Sequence, residues 1–160
     1  MSAEFDSASD IANSLLQKSG NALLDGSFDA FAPLFTVPTT VETFEGRRVL
    51  TTIGEIRTTF QEVCRHYKSQ GTTDLVRHVV AAEFVDETTV RATVEVRVIS
   101  GSQLQQAPYV IFSKYVYEDG AWKIAESIYV LDDAPIYIRA LTYGKRAHST
   151  EERQQSSAAD

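Results

Sequence analysis

The chain has 160 residues, of which 43% are hydrophobic and 23% are charged, as is usual for a single globular domain. Its net charge is −7, so it has no basic stripe to neutralise phosphates, and we expect no nucleic-acid partner. No apolar run is long enough to cross a bilayer, and the acidic N-terminus is unlike a secretory signal, which predicts no membrane partner and a cytoplasmic location.

Helical signals dominate the first third of the chain. Residues 1–6 are expected to form a flexible N-terminus. Ser7 or Ser9 can then cap a helix that runs to about Asp25, because a serine hydroxyl accepts hydrogen bonds from the first free amides of a helix. Ser27 is placed in the same way to cap a short second helix.

A short strand and the clearest helix follow. Pro38 cannot donate a hydrogen bond to a neighbouring strand, so Val37–Phe44 is predicted to be an edge strand. Thr52 and Glu55 have the spacing of a capping box, and the apolar residues after them recur with a helical period until Gly71.

The second half of the chain predicts an antiparallel sheet. Strands are expected over Leu75–Val85 and Val90–Ile99, and the second alternates valine or alanine with polar residues. Tyr109–Leu131 reads as a hairpin around an Asp-Gly turn. Helices first and strands afterwards predict an α+β fold, with N-terminal helices packed on a curved antiparallel sheet. We expect one domain over residues 7–143 and a disordered tail over 144–160.

Four segments in this order are similar to the nuclear transport factor 2-like superfamily, the cystatin-like α+β cone that includes SnoaL-like proteins. They are NALLDGSFDAFAPLF, VETFEGRRVLTTIGEIRTTF, RHVVAAEFVDETTVRATVEV and YVYEDGAWKIAESIYVLD, and the resemblance spans about residues 10–132. It implies a cone with an interior pocket. It leaves the activity open, because this fold hosts isomerases, dehydratases, cyclases, hydrolases and plain binding domains.

The catalytic residues of two groups in this superfamily are not matched. Ketosteroid isomerases carry a tyrosine on the first helix and an aspartate base on the first strand, where this chain has Ser19 and Thr43. Limonene-epoxide-hydrolase-like members use an Asp–Arg–Asp set, and its first two places fall near Lys114 and Phe112. The resemblance therefore implies a pocket without either chemistry.

Scytalone-dehydratase-like members are matched in one position. Their tyrosine–aspartate pair falls near Gly20 and Asn21, whereas their strand histidine corresponds to His78. A histidine can exchange a proton near neutral pH. His78 also interrupts what reads as an apolar row of Val76, Val80, Ala82 and Phe84. It can equally be a hydrogen-bonded histidine at the edge of the core.

Glu126 is the second interruption of an apolar row, and its neighbours depend on the hairpin turn. It shares an alternating row with Trp122, which makes it a candidate general acid or base, or a carboxylate neutralised by a cation. A three-residue turn, which we favour because it aligns the more apolar residues, places Phe112 opposite Glu126 and Lys114 within reach. A two-residue turn would instead place these residues on that face: Ser113, Tyr115 and Tyr117.

Metal and thiol chemistry are not expected. Cys64 is the only cysteine, which excludes an intrachain disulfide, and it falls on the apolar stripe of the third helix, where we expect an inert buried thiol. His66, His78 and His148 do not have the spacing of a metal site. We expect no cofactor.

These patterns predict an interior cavity for an apolar small molecule. We expect its walls to include these residues: His78, Glu126, Phe60, Val80, Phe112 and Trp122. Asn21, Thr43 and Lys114 would add polar groups. The first hypothesis is a SnoaL-like domain whose activity is open, with acid–base chemistry of the lyase or isomerase type by His78 and Glu126. The alternative is a non-catalytic module for ligand binding or dimerisation.

A homodimer through the outer sheet face is also expected. Four tyrosines would make that face unusually apolar for a monomer, and two-fold pairing is the commonest way to cover such a surface. The face would contain Tyr109, Tyr115, Tyr117 and Tyr129 together with Ile111 and Leu131.

Overall fold

Three α-helices pack on one face of a curved seven-stranded sheet in the computed structural model, which describes residues 7–131 and Leu141. The helices are α1 (Ala8–Asp25), α2 (Phe28–Phe31) and α3 (Ile53–Ser69), and a 3-10 turn covers Ala32–Leu34. The strands are β1 (Phe35–Thr43), β2 (Gly46–Leu50), β3 (Asp74–Asp86), β4 (Thr89–Ser100), β5 (Gln103–Leu104), β6 (Tyr109–Glu118) and β7 (Ala121–Val130). The predicted α+β fold is confirmed.

Side-chain caps set the beginnings of the two long helices, as the sequence predicts. The Ser7 hydroxyl accepts a hydrogen bond from the Asp10 amide at 3.1 Å, and Thr52 does the same for the Glu55 amide at 3.1 Å. Gly26 ends α1 with a φ of 69°, a conformation that glycine adopts without strain. Within the described residues, no helix is long and apolar enough to span a membrane.

The sheet has the strand order β2-β1-β7-β6-β4-β3, and β5 pairs with the end of β4. β1 runs parallel to β7, whereas the other pairs are antiparallel, so the sheet is mixed. The prediction of an edge strand at Val37–Phe44 is wrong, because β2 covers that edge. Pro38 is accommodated there because the pairing of β1 with β7 shifts between Phe35 and Thr40.

The apolar row of β4 forms the centre of the core. Val90, Val94, Val96 and Val98 face the helices and are almost fully buried, whereas Arg91 and the other intervening residues face outward. The predicted alternation of this strand is confirmed.

The β6–β7 hairpin has a two-residue turn followed by a bulge. Asp119 and Gly120 both have positive φ, and Glu118 pairs with Ala121, so the three-residue turn that we favoured is wrong. Ala125 is an extra residue in β7, because Ile124 pairs with Tyr115 and Glu126 pairs with Lys114. This bulge reverses the alternation of β7. Trp122 and Ile124 face the helices, whereas Glu126 faces outward.

A second bulge divides β3. Val79 pairs with Val94 and Ala81 pairs with Thr93, so Val80 is the extra residue. Before it, His78 lies on the outer face with Val76. After it, Ala82 and Phe84 lie on the inner face, where the Phe84 ring is 6.2 Å from the ring of Trp122. The residues that the sequence predicts to form one apolar row are therefore divided between the outer and inner faces of the sheet.

The tyrosines of the hairpin lie beneath the helices. Tyr115 is 0% exposed, and Tyr109, Ile111 and Leu131 are also buried. The prediction that these residues form an outer surface is wrong, because the two-residue turn places odd-numbered residues of β6 on the inner face. The predicted flexible N-terminus (1–6) and disordered tail (144–160) lie outside the described residues.

Thr39 of β1 supports the bulge in β7, and its removal tests this role. Its buried hydroxyl is within hydrogen-bonding distance of the carbonyl oxygens of Ile124 and Ala125, at 3.3 and 3.2 Å. Thr39→Val should lower the free energy of unfolding by about 1–3 kcal/mol, because a buried carbonyl loses its donor. Chemical denaturation measures this. Thr73→Val is the control, since the exposed Thr73 hydroxyl also donates to a carbonyl. Equal losses in both variants would contradict the prediction.

Candidate functional site

Two adjoining cavities, each of about 50 Å³, lie between the helices and the inner face of the sheet. They share five lining residues: Leu23, Phe31, Phe35, Ser127 and Tyr129. The first cavity extends towards β1, β2 and α3, where Leu50 and the buried Leu141 complete its wall. The second extends towards β3 and β6. This space is the candidate ligand-binding site.

Aromatic rings form the helical wall of the first cavity. The ring of Phe31 lies 4.5 Å from that of Phe35 and 4.7 Å from that of Phe60. Phe60 therefore lies in the interior, as the sequence predicts. Phe28 packs behind Phe60 at 5.4 Å, and the Arg57 guanidinium covers its ring at 4.8 Å. These contacts hold an apolar wall in place.

Polar side chains gather at the β3 end of the second cavity. Arg77 Nη1 donates hydrogen bonds to the Ser19 hydroxyl at 2.9 Å and to the Leu16 carbonyl at 3.4 Å. Ser113 and Tyr115 line the same cavity from β6. Burial raises the pKa of the Tyr115 phenol, and the Ser113 hydroxyl and the Arg77 charge offset part of that rise. Tyr115 therefore keeps its proton at neutral pH.

Sequence reasoning missed Arg77 and Tyr115 as site residues. Arg77 interrupts an apolar row, between Leu75 and Val79, in the same way that His78 was thought to do. An interrupted apolar row was therefore a usable signal for Arg77 as well. The prediction relied instead on the row that contains His78, and His78 lies on the outer face of the strand.

Glu126 does not face the interior. It lies on the outer face, opposite Lys114 in the ladder, and its Oε2 is 3.9 Å from Nη2 of Arg47. Phe112 also lies on that face, and 47% of its surface is exposed. Glu126, Lys114 and Phe112 are placed outside because the Ala125 bulge and the two-residue turn reverse the faces that the sequence suggested.

His78 and Glu126 do not share a cavity. His78 is exposed on the outer face of β3, opposite Glu95. β4 and β6 lie between β3 and β7, which separates the two residues by three strand spacings, about 14 Å. Val80, at the β3 bulge, is 58% exposed. The predicted cavity containing all three is wrong in its geometry, although a role for each residue stays a prediction.

The remaining predicted site residues lie apart from both cavities. Trp122 is buried on the inner face, but it packs against Phe84 and, at 5.5 Å, against Tyr117. The buried Thr43 hydroxyl accepts a hydrogen bond from the Glu45 amide at 3.1 Å, which supports the turn after β1. Asn21 is exposed on α1 and lines a surface groove of about 370 Å³ between α1 and β3.

A wider groove of about 580 Å³ crosses the outer sheet face. A row of charged residues crosses four strands there, and each pair is directly opposed in the ladder: Glu83, Arg91, Lys114 and Glu126. Two like charges, Arg91 and Lys114, are adjacent at the centre, and a carboxylate stands at each end. The groove is therefore a charged surface and is distinct from the apolar interior.

Cys64 has no features of a nucleophile. Its thiol donates a hydrogen bond to the Leu23 carbonyl at 3.4 Å, and burial raises its pKa to about 11. The thiol is therefore protonated at neutral pH. In the part of the chain that the structure describes, no three His, Cys, Asp or Glu residues are arranged to hold a metal ion.

No family model matches this chain, and no curated protein sequence matches it either. Solved structures do. A domain of unknown function with a cystatin-like fold from Nostoc punctiforme superimposes with a TM-score of 0.61 at 19% identity, covering 95% of each chain. An NTF-2-like protein of unknown function from Shewanella oneidensis has a TM-score of 0.58 at 12% identity, covering 77% of this chain and 98% of its own.

An enzyme is among the similar structures. A type 2 hexachlorocyclohexane dehydrochlorinase superimposes with a TM-score of 0.54 at 12% identity, covering 78% of this chain and 84% of its own. At such identities the likeness concerns the fold alone. The predicted resemblance is confirmed at that level: the chain has the cystatin-like fold of the nuclear transport factor 2-like superfamily.

Proposed function

We propose that the protein binds a small apolar molecule in the two adjoining interior cavities. The observation that carries this proposal is their lining: Leu23, Phe31 and Phe35 form shared apolar walls, and the hydroxyl-bearing Ser127 and Tyr129 stand opposite them. Ligand sites of proteins typically combine an apolar lining with a few polar groups that orient the ligand.

The size of the cavities restricts the ligand. Each measures about 50 Å³. An apolar cavity of about 150 Å³ holds the six non-hydrogen atoms of benzene, so the two together, at about 100 Å³, suit a ligand of about four non-hydrogen atoms as they stand. Small movements of the wall side chains would admit somewhat larger molecules, such as 1-pentanol with its six non-hydrogen atoms.

The proposal favours a binding domain over acid–base catalysis. His78 and Glu126, the predicted acid–base pair, both lie on the outer face. Among the described residues that line the interior cavities, none is a carboxylate or a histidine. The hydroxyls and the guanidinium that do line them are poor proton acceptors at neutral pH. The activity of the dehydrochlorinase belongs to that protein and adds nothing to this proposal.

Filling the shared part of the cavities tests the binding site. Ser127→Leu should weaken the binding of 1-pentanol by about tenfold or more, ~1.4 kcal/mol, because the added side chain occupies the ligand's space. Titration of the ¹⁵N-labelled protein, followed by NMR, measures the affinity. Thr93→Leu is the matched control, since Thr93 faces outward on β4. Undiminished binding to Ser127→Leu would contradict the proposal.

We also propose that two copies of the protein pair through the outer sheet face. Val110 pairs with Val130 and Phe112 pairs with Ile128, so four apolar side chains form one contiguous patch on that face. Val76 and Val80 add exposed apolar surface on β3. A patch of this kind is more often found at an interface than on a free monomer, and a two-fold pair is the simplest closed assembly.

A charge placed in this patch tests the pairing. Phe112→Glu should convert a dimer into a monomer at micromolar concentration, because pairing would bury the new carboxylate among apolar groups. Light scattering coupled to size-exclusion chromatography measures the mass. Phe44→Ser is the control, since Phe44 is 65% exposed at the β1–β2 turn, away from the patch. A monomeric parent protein would overturn the proposal.

A further inference from the structure

The outer face of the β6–β7 hairpin carries three successive ladder pairs, each made of matched side chains. Two of the pairs are apolar and the third joins a cation to a carboxylate: Val110 with Val130, Phe112 with Ile128, and Lys114 with Glu126. The pattern ends at the third pair, because the Ala125 bulge and the turn follow it. Exchanging the two strands of the hairpin would therefore leave every pair matched.

The two charges of the third pair can be reached by another chain. Lys114 is exposed, and among the described residues it has no ion-pair partner. The Glu126 side chain is 29% exposed, and its carboxylate has a long contact with the Arg47 guanidinium at 3.9 Å. On β4, Lys114 lies opposite Arg91, a like charge that does not neutralise it. A carboxylate brought by a second chain would therefore stabilise Lys114.

A two-fold axis that runs between β6 and β7, parallel to the strands, would match all three pairs at once. Such an axis exchanges the strands, so β6 of one copy faces β7 of the other. Lys114 then faces Glu126 of the partner subunit, and this contact occurs twice. Phe112 likewise faces the partner's Ile128. Sheets packed face to face lie about 10 Å apart with their strands within about 30°, a gap that lysine and glutamate side chains span together.

Neighbouring axes match the outer face poorly. An axis between β4 and β6 would place Lys114 over the partner's Arg91, and an axis along β6 would place it over its own copy. An axis between β7 and β1 would place Ile128 over the partner's Glu42, which buries a carboxylate against an apolar side chain. An axis perpendicular to the strands, through the centre of the patch, would place Lys114 over the partner's Val110. Of these axes, only the one between β6 and β7 buries the apolar patch and also neutralises the charges.

We propose that two copies pair about an axis between β6 and β7, with Lys114 of each copy bound to the partner's Glu126. This inference rests on the proposed pairing, since it names the contacts that fix how the second copy sits on the same face. The apolar side chains supply most of the attraction between the copies. The two crossed ion pairs select this axis, because like charges in contact oppose the alternatives.

Charge reversals test the crossed contacts. Lys114→Glu and Glu126→Lys should each raise the dissociation constant of the dimer about 100-fold or more, because each change brings like charges together at two symmetric positions. Light scattering over a series of protein concentrations measures this constant. Lys18→Glu is the matched control, since Lys18 is exposed on α1, on the other side of the sheet, and its dimer should be unaffected. A dimer that tolerates either reversal, or that weakens equally in the control, would overturn the inference.

Mixing the two reversed chains distinguishes contacts between copies from contacts within one. An equimolar mixture of Lys114→Glu and Glu126→Lys should form a heterodimer about as tight as the parent dimer, because one chain then carries carboxylates at both positions and the other carries amines. Native mass spectrometry with one variant ¹⁵N-labelled identifies the heterodimer. Repulsion confined to one chain is not relieved by mixing. A mixture that stays monomeric would therefore overturn the inference.

The double variant Lys114→Glu/Glu126→Lys restores opposite charges both within a chain and across the proposed interface. It should dimerise as the parent does, and a monomeric double variant would contradict the inference. The same measurements separate this inference from the proposed pairing. If the parent protein is a monomer, both fall. If Phe112→Glu dissociates the dimer and the charge reversals do not, the pairing stands and the axis between β6 and β7 falls.

Discussion

Successive side chains of a β-strand point to opposite faces of the sheet, so one extra residue exchanges the two faces from that point onward. The sheet contains such a residue at Val80 of β3 and another at Ala125 of β7. Most of what distinguishes the interior from the outer surface depends on these two positions. They place Glu126 on the outer face of the sheet and Phe84 on the inner face.

The bulge at Ala125 determines the chemistry of the interior cavities. Because of it, Ser127 and Tyr129 line the shared part of the cavities. If the strand continued without the extra residue, Glu126 and Ile128 would take the inner face. A carboxylate buried there would need a cation or several donors to offset the loss of hydration. On the outer face, Glu126 is partly hydrated and lies near Arg47, so this cost does not arise.

Local signals in the sequence were sufficient to predict the elements and the fold class. The caps at Ser7 and Thr52, the alternation in β4 and the Asp119-Gly120 turn each depend on residues a few positions apart, and all are present in the structure. The parallel pairing of β1 with β7 was missed, because it joins segments far apart in the chain. Nothing near Pro38 indicates which strand will lie beside it.

The candidate site was predicted less well for the same physical reason. Assigning a side chain to a face requires the register of the whole strand, and the Ala125 bulge is supported by Thr39, 85 or more residues earlier in the chain. Phe60 was placed correctly because a helix keeps its period without help from distant residues. His78 and Glu126 were misplaced because each lies in a strand whose period is interrupted. The polar residue that does enter the cavity from β3 is the neighbour of His78, Arg77.

Alternate side chains of each strand reach opposite faces of the sheet, so the two faces can differ in composition. β6 presents Ile111, Ser113 and Tyr115 to the interior and Phe112 and Lys114 to the outside. A substitution at an even-numbered position of β6 therefore changes the outer surface without changing the cavity lining, and the reverse holds at an odd-numbered position. The proposed ligand binding inside and the proposed pairing outside would consequently vary independently, provided that the backbone register, and with it the bulge at Ala125, is retained.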